Sequence, residues 1–183
     1  MHKQSRAWAK LALWGVLSAF SLSACSQAPE WKKHTSAAGK FAVSMPGTPK
    51  EETKALPIPG GSLDMKITQL ENSQEAYLVA FMDFPNTANL PTSIQPLLAA
   101  MIKGGVTQSI KGTVQNEKES SLNGVPCRDF QATGKNKSKD ARMSGKFCMK
   151  NKRLYQVFLI GEDTGETSID KGDKFLSSFQ ISN

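Results

Sequence analysis

Beyond residue 39 the polar and apolar positions follow two periods. Phe41, Val43 and Met45 alternate with smaller or polar residues, which predicts a strand ended by Pro46. Leu63, Met65 and Ile67 alternate with Asp64, Lys66 and Thr68, a strand with one wet face. Residues 76–84, AYLVAFMDF, are apolar on both faces and read as a central strand. The period then changes. Ile94, Leu97, Leu98, Met101 and Ile102 stand at offsets of 3, 4, 7 and 8, one face of a helix. Thr92 with Gln95 offers a capping box, Pro96 lies near the start, and Gly104-Gly105 would end the helix. Alternation returns near residues 110–117, 125–133, 142–150 and 153–160, with Asn123-Gly124 as a turn between two of these strands. PGTP and PIPGG are turn or loop material, and DKFLSSFQI reads as a short helix running into an extended tail. The pattern predicts an α+β domain, an antiparallel β-sheet with about two helices packed on it.

One hairpin can be registered from the sequence. Residues 134–141, GKNKSKDA, have loop composition. If they form the turn, Asp129 faces Lys146, Gln131 faces Ser144 and Thr133 faces Arg142 on one side of the hairpin. On the other, Ala132 meets Met143 and Phe130 meets Gly145, with Arg128 against Phe147 the exception. A slip of one residue would scramble this sorting. The same register sets Cys127 opposite Cys148, within reach of a disulfide. A reducing compartment would leave them as two thiols. For the next turn, parity favours a three-residue loop, which would put Tyr155 and Val157 on the face of Phe147.

The first residues follow another logic. Lys3, Arg6 and Lys10 precede an apolar run at 11–20 and then small residues up to Ala24, the order of a secretory signal. Serines at 18, 21 and 23 make it a poor membrane span. Leu22-Ser23-Ala24-Cys25 resembles the bacterial lipobox. That resemblance implies cleavage between Ala24 and Cys25, diacylglycerol on the Cys25 thiol and an acyl chain (palmitate, for example) on the new amino group. Two or more acyl chains suffice for stable anchoring. The alternative is an ordinary signal with a chance cysteine. Ser26, where an Asp would resemble the inner-membrane retention signal, points to the outer membrane and a domain facing the periplasm. The expected division is a signal peptide at 1–24, a lipidated cysteine and flexible linker at 25–38 with a reach of roughly 20 Å, and a single domain at 39–183.

A second resemblance covers most of residues 31–181. An opening W…GKFAVSMPGTP, a late RLYQVFLIG and a closing FLSSF resemble small bacterial lipoproteins of the PsbP/DcrB-like type. The resemblance implies a non-catalytic accessory or binding domain in which Phe41, Pro46, Tyr155, Phe175 and Phe179 are fold positions. No functional residue carries over.

Candidate chemistry is sparse. His34 is the one histidine beyond the leader, which removes most nucleophilic triads and any multi-histidine zinc site; in the expected linker it reads as solvated. No phosphate-binding or dinucleotide glycine motif and no C-x-x-C occurs, so no cofactor is implied. Glu162, Asp163, Glu166, Asp170 and Asp173 gather without the alternation of a calcium loop, and read as acids entering a helix start. The formal charge of +7 falls to +4 once the three leader cations are discounted. The clearest local charge signal is Lys135, Lys137, Lys139, Arg142, Lys146, Lys150, Lys152 and Arg153 against Asp140. It reads either as a solvated hairpin that resists aggregation or as a contact for anionic headgroups or an acidic protein. Nucleic acid does not fit an extracytoplasmic address. The expected function is therefore a lipid-anchored accessory or binding protein without catalysis. An envelope hydrolase using carboxylates, or a carrier holding a small apolar ligand between helix and sheet, stand as alternatives.

Overall fold

A computed structural model describes residues 29–58, 61–163 and 166–182. The leader with Ala24 and Cys25 lies outside the described residues. Among those described, seven antiparallel strands lie side by side: β3 (Lys50–Ile58), β4 (Gly61–Glu71), β5 (Glu75–Asp83), β9 (Arg153–Glu162), β8 (Lys139–Lys150), β7 (Val125–Asn136) and β6 (Thr113–Leu122). A smaller sheet holds β1 (Lys32–Ser36), β2 (Phe41–Met45) and β10 (Gln180–Ile181). Helix α1 (Gln95–Ile110) packs on β6, β7 and β8 from one face, whereas α2 (Glu166–Ser178) contacts β9, β8 and β2 from the other.

The large sheet is thus buried on both faces, and its strands supply two cores of opposite parity. Tyr77, Val79, Phe81, Cys127, Cys148, Tyr155 and Val157 join Phe41, Phe175 and Phe179 in one cluster. Phe130, Met143, Phe147, Met149, Leu154 and Phe158 join Leu98, Ile102, Val106 and Ile110 of α1 in the second. The four α1 side chains are 0 % exposed and recur every fourth residue. Each buried side chain of this size contributes roughly 1.5–3 kcal/mol of transfer free energy.

This two-sided burial overturns the parity argument for the β8–β9 turn. Lys150 pairs with Arg153 across a two-residue turn, so Tyr155 faces Cys148 and Gln156 faces Phe147. Tyr155 and Phe147 do not share a face; they serve different cores. The helix also runs further than expected. Gly104 and Gly105 sit inside α1, and its left-handed cap is Lys111 with φ 47°. A Cβ on Gly105 would lie 3.7 Å from the Phe147 ring, so the helix approaches the sheet closely here. No side-chain cap bond forms at Ile94, and the Gln95 amide instead donates to the Cys127 carbonyl at 3.2 Å.

Two elements were missed altogether. β3 covers residues assigned to no element, together with the first two of PIPGG; its burial is low throughout and it carries Pro57, so it has the charged, Pro-bearing character of a sheet edge. β1 falls inside the expected linker. It pairs with β2 from Lys32↔Met45 to Ser36↔Phe41, and Trp31 sits edge-on to Tyr77 with ring centroids 5.8 Å apart. The folded unit therefore begins by Trp31 rather than at residue 39. His34 is not solvated linker: it lies on β1, 3.2 Å from Glu51 on β3 and beside Phe41.

Candidate functional site

The β7–β8 hairpin forms in the expected register. Cys127 pairs with Cys148, Asp129 with Lys146, Gln131 with Ser144 and Thr133 with Arg142. The two cysteines are bonded, with Cα atoms 4.0 Å apart and no exposure. The turn is tighter than residues 134–141 suggested. Only Lys137 and Ser138 lie outside the strands, both with positive φ. Phe130 lies over Gly145, where a Cβ would be 2.6 Å from its ring. Arg128, the exception on the apolar face, reaches across to the neighbouring edge strand. Its guanidinium is 3.1 Å from Glu117 and 3.6 Å from Glu119 on β6. The Glu117 hydrogen bond holds its pKa above even the usual arginine value.

On the polar face the disulfide is the first rung of a floor. Next to it Lys146 bonds Asp129 at 3.1 Å, and Asp129 accepts a hydrogen bond from the Ser120 hydroxyl at 2.8 Å. Asn116, Lys118, Gln131 and Ser144 continue this floor, and α2 stands beside it as a wall through Asp173, Leu176 and Ser177. The result is an open groove of about 670 Å³. It exists because α2 and the small sheet cover β5 and β9 and stop short of β6 and β7. The polar face of residues 129–133 and 142–146 was legible as alternation. The wall was not, because nothing local says where α2 docks.

The basic residues at the hairpin tip are each matched to a carboxylate. Lys135 binds Asp140 at 2.9 Å, Lys137 approaches Glu71 at 3.9 Å, Lys139 pairs with Glu162, and Arg142 binds Asp163 at 3.0 Å. Two of the acids gathered in residues 162–173 thus serve as counter-charges to the hairpin. Among the described residues, no group of three or more histidine, cysteine or acidic side chains could hold a metal ion. The cations at the other end of β8 are held differently. Lys150 donates to the Ser182 carbonyl, and Lys152 to the carbonyls of Asn86 and Ala88. Arg153 forms a bidentate pair with Asp83, both contacts at 2.6 Å, and donates to the Ala38 carbonyl at 2.9 Å. The Arg153 hydrogen bonds hold the Asp83 carboxyl below its usual range.

Two tyrosines are locked into the core by polar contacts. Tyr77 donates to Glu75, which also binds Lys171 of α2 at 2.8 Å. Burial, then the bond to Glu75, pushes the Tyr77 phenol far above its normal pKa. Tyr155 donates to the Gly39 carbonyl at 2.9 Å, tying the β1–β2 turn to β9.

No family model and no curated protein matches the chain. Among solved structures, protein PA94 of Pseudomonas aeruginosa, of unknown function, aligns with a TM-score of 0.40 at 8 % identity, over 61 % of this chain and 84 % of that one; this overlap carries no argument. The solution structure of cyanobacterial PsbP (CyanoP) from Synechocystis sp. PCC 6803 aligns with a TM-score of 0.55 at 14 % identity, over 87 % of this chain and 98 % of that one. Phe41, Tyr155, Phe175 and Phe179, singled out in the sequence as fold positions, all lie in one buried cluster, with Phe179 against both Phe41 and Tyr155. At this identity the likeness bears on architecture alone: the chain carries a PsbP-like domain.

Proposed function

We propose that this chain is a lipid-anchored, extracytoplasmic accessory protein that binds a partner and does not catalyse. The observation that carries the reading is the buried Cys127–Cys148 bridge. A structural disulfide belongs to an oxidising compartment, and this one accounts for two of three cysteines, leaving Cys25 of the LSAC sequence for the lipid. The groove beside α2 supplies a concave surface of mixed polar and apolar lining beside the hairpin that the bridge holds in register. No helix among the described residues is long and apolar enough to cross a membrane. Attachment would then fall to the acyl chains on Cys25, at the outer membrane with the domain facing the periplasm.

The alternatives find less support. A carrier needs room between α1 and the sheet, where Leu98, Ile102, Val106 and Ile110 are fully buried against Phe130, Ala132, Met143 and Phe147. A carboxylate hydrolase needs two free acids over a cleft, and Asp129 in the groove is engaged by Lys146 and Ser120.

The test is intact mass spectrometry of the chain purified from its native envelope. The reading expects a chain starting at Cys25, heavier than its sequence by a diacylglycerol group with or without one further acyl chain, and no such species in Cys25→Ala. A retained leader, or an unmodified Cys25 thiol in the wild type, would refute the anchor.

A further inference from the structure

The basic stretch at residues 135–153 comes apart in three dimensions. Its first half crowns the β7–β8 turn and its second half lies at the other end of β8, roughly 37 Å away for a 12-residue strand. At the tip, carboxylates cancel the charge. At the far end, Lys152 is held by neutral carbonyls, which fix its position and leave its charge in place. Lys40 joins it from the β1–β2 turn with φ 52°, and among the described residues its ammonium has no ion-pair partner. Asp83, the one acidic side chain lining this end among the described residues, is bound bidentately by Arg153. The lining encloses an open pocket of about 390 Å³.

We propose that this far pole, formed by Lys40, Lys152 and the outer side of the Arg153–Asp83 pair, is a docking site for a carboxylate-rich protein segment. Orientation argues for a protein in preference to lipid headgroups, and in this clause alone the inference rests on the lipid anchor. Trp31 lies six positions after Cys25, a span of at most roughly 22 Å. The chain joins the domain at Trp31, which packs against Tyr77 in the tip half of β5, and β1 then runs away from it toward the 37–40 turn. The far pole therefore points away from the anchoring bilayer. Arg153 is suited to a fixed role here, since it also stacks over Phe81 at 4.8 Å, so the two lysines supply the selectable charge.

The test is titration of the full chain, held in neutral phosphatidylcholine nanodiscs, with a hexaglutamate peptide at low and moderate salt. Saturable, salt-sensitive binding is expected. Lys40→Asn together with Lys152→Gln should weaken it about fivefold or more. Because Lys152 also holds the loop at residues 86–88, Lys40→Asn alone is the cleaner variant: asparagine tolerates the left-handed backbone, and a loss of about threefold is expected. Changing Lys135, Lys137 and Lys139 to serine should leave the affinity unchanged. Absence of saturable binding, an equal loss in the tip variant, or competition by phosphatidylglycerol vesicles stronger than by the peptide would each overturn the proposal. A chain that fails to remain with the nanodiscs would refute the anchor alone, and the same titration in solution would still decide the pole.

Discussion

The two ends of strand β8 carry similar charges and use them differently. At the Lys137-Ser138 turn, four cations of the hairpin meet four carboxylates contributed by β4, β8 and the end of β9. At the Asn151-Lys152 turn, cations gather loose backbone: the carbonyls of Asn86 and Ala88 accept bonds from Lys152, and the Ala38 carbonyl accepts one from Arg153, which also pairs with Asp83. A carboxylate removes a cation from the surface potential. A carbonyl orders it without neutralising it. A run of lysines therefore says little until each partner is known, and the end that looks most basic in sequence is the less charged in space.

The comparison can be broken first at the element that joins the two ends. Replacing Cys127 and Cys148 together by alanine should cost about 3 kcal/mol by chain-entropy reasoning for a closed loop of this size, read as a shift in urea midpoint. An unchanged midpoint would mean that the strand register needs no staple. A smaller effect separates the ends themselves. Arg153→Ala removes a bidentate pair, a carbonyl bond and a ring contact, and should cost about 1.5–3 kcal/mol. Arg142→Ala, which loses one surface contact to Asp163, should cost under about 1 kcal/mol. The Arg153 loss should also depend on pH. Asp83 has a lowered folded-state pKa, so its contribution is complete above the ordinary aspartate value near 3.9 and is lost as pH falls through the lower folded value. The stability gap between wild type and Arg153→Ala should narrow in that acidic window; a gap that widened there would contradict the assignment.

How much of this was legible depended on how local the cause was. The β7–β8 register was readable because residue sorting on both faces of one hairpin allowed a single solution, and the disulfide followed from it. Asn123-Gly124 was readable because a tight turn with positive φ at both positions selects those residues. The β8–β9 turn was not, since parity presumes one buried face and this sheet has two. β3 was hidden because an edge strand is shaped by avoidance of further pairing, so it looks like loop. β1 was hidden because its partner β2 supplies most of the apolar side chains, leaving KKHTS to read as linker. The groove and the far pole were invisible for the same reason: each is made by elements distant in sequence, α2 against β6–β8 in one case and four separate turns or loops in the other.

The central claim is that charge resides at the far pole and is cancelled at the hairpin tip. The most direct measurement is amide relaxation enhancement by an anionic nitroxide, with a neutral nitroxide as reference for exposure. The account predicts a larger anionic-to-neutral ratio at the amides of Lys40, Asn151 and Lys152 than at those of Lys135, Lys137 and Lys139. Equal ratios, or a larger ratio at the tip, would contradict it.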